Sequence, residues 1–252
     1  MRTILQAIAV LAVFALVVAG CKKYEATNPV TTVTHASGTY SGVLAGSTTG
    51  GADVSGTMTL NIPSAKSVPS DENLFTVFTV TGTFTLSGGA VVNVTGTYND
   101  ANDSLYVSSS SGFSFKGTYN HTTGALQGSW TTPNSSGSFV AQGGSGAHGI
   151  PGTWTSTAHA GTSGVFNMCV SGNTVMGIIS ASSASSGSNY RYPFSGTITA
   201  DDSVKINVTF GALSVKIAQG KFSSSARTSA SGTYTLPTVS GHSDAGTWVA
   251  SN

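Results

Sequence analysis

A period of two residues runs through the chain from residue 38 onward and constrains its fold more than any other feature. Phe78, Val80, Phe84 and Leu86 alternate with Thr79, Thr81, Thr83 and Thr85. Met58, Leu60 and Ile62 alternate with Thr57, Thr59 and Asn61, and Val204, Ile206, Val208 and Phe210 with Lys205, Asn207 and Thr209. Successive side chains of a strand point to opposite faces, so each run is a strand with one dry and one wet face. No segment beyond residue 21 carries a sustained helical period. In the first half the runs fall at 38–44, 54–62, 75–86, 90–98, 104–108, 112–119, 124–132 and 136–142. The whole chain holds 32 Gly, 39 Ser and 35 Thr, a composition of turns and strands. Consecutive short strands favour an antiparallel meander, and eight are enough to close a small barrel with no open edge.

The pattern occurs twice. Gly38-Thr39-Tyr40 returns as Gly152-Thr153-Trp154, and Gly82-Thr83-Phe84-Thr85 as Gly196-Thr197-Ile198-Thr199, both at an offset of 114. Asn93-Val94-Thr95 returns as Asn207-Val208-Thr209 at that offset too. Gly128-Ser129-Trp130 matches Gly232-Thr233-Tyr234 at 104, and Gly137-Ser138-Phe139 matches Gly246-Thr247-Trp248 at 109. Drifting offsets are what insertions and deletions in loops leave behind in two copies of one unit. The expected fold is therefore all-β: two tandem duplicated antiparallel meander domains, small eight-stranded barrels, with β-sandwiches as the alternative. The expected domains are 37–142 and 152–252, joined by a Gly-rich linker over 143–151.

The first 21 residues differ in kind. Arg2 precedes an apolar run from Ile4 to Val18 that ends in Ala19, Gly20 and Cys21, the order of a secretory signal. The run is short and stops abruptly at Lys22 and Lys23, unlike a membrane span. Val18-Ala19-Gly20-Cys21 resembles the bacterial lipobox. That resemblance implies a signal peptide over 1–20, removed as the Cys21 sulfur receives a diacylglycerol and the new amino terminus a fatty acid such as palmitate. It implies a tether over 21–36 and a membrane-lipid partner. Lys22 stands where the familiar inner-membrane retention signal has Asp, which favours the outer membrane of a Gram-negative cell. Each buried CH₂ contributes about 0.8 kcal/mol, so several acyl chains give a stable anchor. Cys21 once lipidated, Cys169 has no partner for an intrachain disulfide. Within Val165-Phe166-Asn167-Met168-Cys169-Val170 it is expected as a buried, inert thiol.

Charge is sparse: 10 Lys and Arg against 9 Asp and Glu, a net charge of +1. Nucleic acid is excluded as a partner, because phosphate neutralisation needs clustered cations. The chain has no His-Glu-x-x-His, no Gly-x-Ser-x-Gly elbow and no phosphate-binding loop. Gly241-His242-Ser243-Asp244 puts triad residue types side by side, but a triad needs them to converge from separate elements, and the stretch is expected as a polar turn. Asn99-Asp100-Ala101-Asn102-Asp103 is rich in oxygen ligands yet lacks the Asp-x-Asp-x-Asp-Gly order, and with Asp201-Asp202 it too is expected as a turn. No metal site, cofactor or catalytic residue is expected, and the chain is not expected to be an enzyme.

Two further resemblances remain. Asp103-Ser104-Leu105 and Asp202-Ser203-Val204 resemble the Asp-Ser/Thr-aliphatic acceptor of bacterial O-glycosylation, making Ser104 and Ser203 candidate sites. A Gly-Thr-aromatic word on the first strand of an eight-stranded meander is similar to the avidin and lipocalin barrels; it carries over no binding residue, but such barrels can hold one small ligand. Trp154 and Trp248 are the candidates for stacking such a ligand or a glycan, whereas Trp130 shares an alternating face with Leu126 and is expected in a core. A non-catalytic structural or surface-interaction role is therefore expected, with binding of a small apolar ligand or glycan in a barrel as the alternative. An open barrel interior would favour the alternative.

Overall fold

The computed structural model describes residues 36–64, 77–181, 190–210, 213–239 and 242–252. The expected signal peptide, Cys21 and almost all of the tether lie outside them. Eight strands form a first barrel: β1 (Gly38–Thr48), β2 (Asp53–Ile62), β3 (Val77–Leu86), β4 (Val91–Asn99), β5 (Ser104–Ser108), β6 (Ser114–Asn120), β7 (Ala125–Thr131) and β8 (Ser135–Gly143). Each is antiparallel to the next, and β8 pairs back onto β1 to close the sheet. These are the eight alternating runs of the sequence, with β1 continuing to Thr48.

The second barrel contains β9 (His148–Ile150), β10 (Gly152–Ser156), β11 (Ser163–Ser171), β12 (Thr174–Ala181), β13 (Tyr190–Ile198), β14 (Ser203–Phe210), β15 (Leu213–Phe222), β16 (Ser229–Val239) and β17 (His242–Ser251). β17 pairs with β10, and β10 with β11, which closes it. β9 and β10 meet β11 in one register, with Ile150 opposite Met168 and Thr153 opposite Val165. They are two halves of a single barrel strand, interrupted at Pro151, which has no N–H to give the ladder. The expected linker is thus corrected: Gly143 closes β8, and His148–Ile150 already belong to barrel 2.

Register establishes the duplication. Leu44 lies opposite Gly56 and Phe139, as Trp154 lies opposite Gly164 and Trp248. Followed around both barrels, the ladders equate Gly82 with Gly177, Gly96 with Gly196, Leu105 with Val204, Gly117 with Gly220 and Gly128 with Gly232. Every strand of one barrel thus has a counterpart at the same stagger. The last two word matches, Gly128 with Gly232 and Gly137 with Gly246, hold. The first three need correcting, because Gly152 is equivalent to Gly42, Gly196 to Gly96, one strand beyond Gly82, and Pro193 to Asn93. Gly-Thr-apolar words recur on many strands, so matching by word slips where hydrogen-bond register cannot.

The glycines make room for rings. A Cβ at Gly164 would lie 2.6 Å from the Trp154 indole nitrogen, and one at Gly246 would lie 2.7 Å from the Tyr234 ring. Each glycine faces its aromatic directly across the ladder, so the ring lies over the bare backbone and fills the barrel.

Candidate functional site

Among the described residues, buried side chains pack the interior of both barrels. In barrel 1, Phe84 packs on Phe115 and Phe115 on Phe139, among Tyr40, Leu44, Leu60, Tyr98 and Trp130. In barrel 2, Phe166 stacks between Phe194 and Trp248 with ring centroids 4.9 Å apart on each side. Trp130 is in the core, as its alternation with Leu126 requires. The stacking role expected of Trp154 and Trp248 is corrected: both are 1% exposed and offer no face to a ligand in solution. Their N–H groups are used internally, Trp154 donating to the Ser180 carbonyl at 3.0 Å and Trp248 to that of Thr233 at 3.3 Å. The inward positions combine Phe, Trp, Tyr, Leu, Ile and Val with glycines, and among the described residues the large side chains pack over the glycines.

The turn at 99–103 and the turn at 201–202 are built alike. Asp103 and Asp202 take left-handed φ values of 56° and 61°, which the short polar Asx side chain tolerates. One residue on, the Ser104 hydroxyl donates to Asn102 Oδ1 at 2.6 Å and the Ser203 hydroxyl to Asp201 Oδ2 at 2.7 Å. The candidate acceptors Ser104 and Ser203 are thus equivalent residues, both half-buried at a turn-to-strand entry. The acids then diverge. Asp103 accepts from Tyr98 at 2.7 Å and meets His121 Nε2 at 2.7 Å, whereas Asp202 accepts from Arg227 Nε at 2.9 Å. Burial first, and then the bond to Asp103, raises the Tyr98 pKa above its ordinary value. Donation from Thr199 and Ser203 lowers that of Asp201. Among the described residues, no three His, Cys, Asp or Glu come together as a metal site.

His242, Ser243 and Asp244 open β17, and the Asp244 carboxylate accepts from the neighbouring Ala245 N–H at 2.8 Å. It accepts from Ser156 at 2.5 Å and Tyr234 at 2.9 Å, tying the end of β10 to β16. These bonds brace the barrel end, and Ser243 takes no part in them.

The functional geometry that alternation did not foresee is the seam between the barrels. Val43 and Ala45 on the outer face of β1, with Val140 of β8, pack against Val165, Cys169 and Ile178 of barrel 2. Asn167 is completely buried there. Its Nδ2 donates to the Leu44 carbonyl at 2.7 Å and to the Ser55 hydroxyl at 2.8 Å, and its Oδ1 accepts from Gly152 N at 2.8 Å. Asn167 stands opposite Pro151 in the β11 register, so its amide repairs the broken ladder while gripping the other barrel. Cys169 is fully buried; its thiol donates to the Ser41 carbonyl at 2.8 Å, and burial pushes its pKa up to about 12. It is a structural thiol, as its apolar neighbours imply. The signal was present in the sequence as runs without alternation, Val43-Leu44-Ala45 and residues 165–170, which mark strands covered on both faces.

At one end of the seam lies a crevice of about 160 Å³ lined by Gly46, Ser47, Ser180, Ala181, Tyr190 and Arg191. No family model, curated protein or solved structure matches the chain.

Proposed function

We propose that this chain is a lipid-anchored cell-envelope protein, held in the outer membrane of a Gram-negative cell by acyl chains on Cys21, with a non-catalytic structural or surface-interaction role. The observation that carries this reading is the solid interior of both barrels, which leaves a rigid body with a hydroxyl-rich surface in place of a container. The two barrels add a second support. They are fused through a dry, hydrogen-bonded seam, so the unit behaves as one stiff spacer. Among the described residues, the pairs of Asp103 with His121 and Asp202 with Arg227 brace turns. Ser104 and Ser203 are the positions at which an O-linked glycan would be carried on this surface.

The test is metabolic labelling with an alkyne fatty acid, followed by membrane fractionation. Label is expected on the wild-type chain in the outer membrane and is expected to vanish in Cys21→Ser, with the chain left unprocessed. Unlabelled wild-type protein released as a soluble species would overturn the anchor. A hydrophobic ligand leaving the intact protein only on unfolding, seen by native mass spectrometry, would overturn the solid-barrel role.

A further inference from the structure

Beyond that role, the crevice at the end of the seam has the makings of a binding site. Ser180 and Arg191 are direct cross-strand partners on β12 and β13, so both side chains leave the same outer face of barrel 2 toward barrel 1. Ser180 is only 2% exposed, yet among the described residues its hydroxyl has no hydrogen-bond partner, and neither has the buried Nε of Arg191. Buried polar atoms are nearly always paired, and leaving one unpaired costs about 1–3 kcal/mol. Two such atoms on adjacent residues, lining one cavity, amount to a built site waiting for an acceptor. Among the described residues, the Arg191 Nη2 reaches the Ser136 carbonyl of barrel 1 at 3.5 Å. Burial strips the Arg191 guanidinium of water and lowers its pKa.

The Arg191 Nε–H can only donate, and the Ser180 hydroxyl can donate beside it. The complementary ligand is therefore acceptor-rich, and the planar fork of an arginine matches a carboxylate. Charge limits the choice further. Asp53 is the register partner of Ser47, and after burial and Asp244 its carboxylate adds to the rise of the Tyr190 pKa, so a monoanion is favoured over a dianion. Size limits it as well, since about 160 Å³ is close to the cavity that accommodates a benzene molecule. Tyr190 lines the crevice and stacks with Tyr192, whose ring is 37% exposed, which gives the ligand body an aromatic wall. We propose that the crevice formed by Gly46, Ser47, Ser180, Tyr190 and Arg191 binds a small monocarboxylate, its oxygens on Arg191 and Ser180 and its apolar body against Tyr190.

The experiment is a titration of the full chain in detergent with benzoate, followed in ¹H–¹⁵N spectra through the Arg191 Nε–H and the Ser180 amide. Saturable shifts of both signals are expected with benzoate, and at least tenfold weaker effects with benzamide and with inorganic phosphate. Arg191→Gln is expected to weaken benzoate at least tenfold and Ser180→Ala about fivefold. Arg191→Lys, which keeps the charge and loses the fork, should fall between wild type and Arg191→Gln and serves if Arg191→Gln does not fold. Unmoved Arg191 and Ser180 signals with benzoate, or benzoate affinity unchanged in a folded Arg191 variant, would overturn the site. Benzamide or phosphate binding as tightly as benzoate would overturn the ligand class.

Discussion

The two barrels share one register yet use opposite outer faces to meet. In barrel 1 the seam is made by strand β1 through Ser41, Val43 and Ala45; the equivalent residues of barrel 2, Pro151, Thr153 and Thr155, are not in the seam, and the two threonines are exposed. In barrel 2 the seam is made by β11 and β12 through Val165, Asn167, Cys169, Met176 and Ile178. Their equivalents in barrel 1 are Thr57, Thr59, Asn61, Thr81 and Thr83, on the hydroxyl-rich outer surface. The cores are alike because a closed barrel of this stagger must be filled. The outer faces differ because only one of each pair is covered, and cross-strand partners on an uncovered face are free to be threonine.

Asn167 offers the sharpest way to break the comparison. Asn167→Ala removes the partners of the Leu44 carbonyl, the Gly152 N–H and the Ser55 hydroxyl in a water-free site, so the expected loss is about 3–5 kcal/mol. The equivalent Thr59→Ala is on a solvated face and should change stability by no more than about 0.5 kcal/mol. Urea unfolding of the two variants measures both. Similar losses would mean that the seam contributes nothing special. Next in size, Ile178→Ala deletes buried seam atoms and is expected to cost about 2–4 kcal/mol, whereas Thr83→Ala at the equivalent position should again be near neutral. A melting-temperature series separates these outcomes.

That asymmetry also explains how much was legible in the sequence. Strand number and position followed from alternation, since most strands have one face on a core and one in water. Phe78, Val80 and Phe84 are buried while Thr79 and Thr81 are exposed. The seam was hidden for the complementary reason: at residues 165–170 the alternation disappears, and an apolar run covered on both sides looks the same whether a second domain or a loop covers it. Pro151 hid the first strand of barrel 2 by splitting it. The aromatic platform misled because a buried Trp and a ligand-stacking Trp have the same spacing on a strand. Arg191 and Ser180 could not be foreseen at all, because their adjacency depends on the β12–β13 register and on the proximity of barrel 1.

Cys169 gives a smaller, pH-dependent version of the same contrast. An ordinary thiol ionises near pH 9, whereas Cys169 keeps its proton in the folded protein to about pH 12. Between those values unfolding releases a proton, so stability is intact below about pH 9 and falls as pH rises, by at most about 1.4 kcal/mol per pH unit. The window just above pH 9 is informative because ordinary tyrosines ionise near pH 10, and the buried Tyr40, Tyr98 and Tyr234 and the half-buried Tyr190 higher still. Cys169→Ala should flatten the decline of melting temperature across that window. A Cys at the equivalent exposed position, Asn61→Cys, should react at once with a thiol reagent, while native Cys169 should react only on unfolding. Rapid labelling of native Cys169 would contradict its burial.

The smallest expected effect on stability concerns the faces the seam leaves unused. A contact between different faces of two equivalent units is head-to-tail, and such a contact propagates into a chain of molecules unless the terminal faces are blocked. Here Thr57, Thr59 and Thr83 block one end and Thr153 and Thr155 the other, so the same substitutions that solvate the barrels also keep the pair from growing. Replacing Thr57→Val, Thr59→Asn and Thr83→Ile recreates the barrel 2 half of the seam on barrel 1. Thr153→Val and Thr155→Ala recreate the other half on barrel 2. Either set alone lacks its complement and should leave the protein monomeric, with stability within about 0.5 kcal/mol of wild type. The two sets combined should drive concentration-dependent end-to-end association in sedimentation. If the combined variant stays monomeric, threonine is not what ends the array, and the broken strand at Pro151 becomes the element that prevents a third barrel from docking.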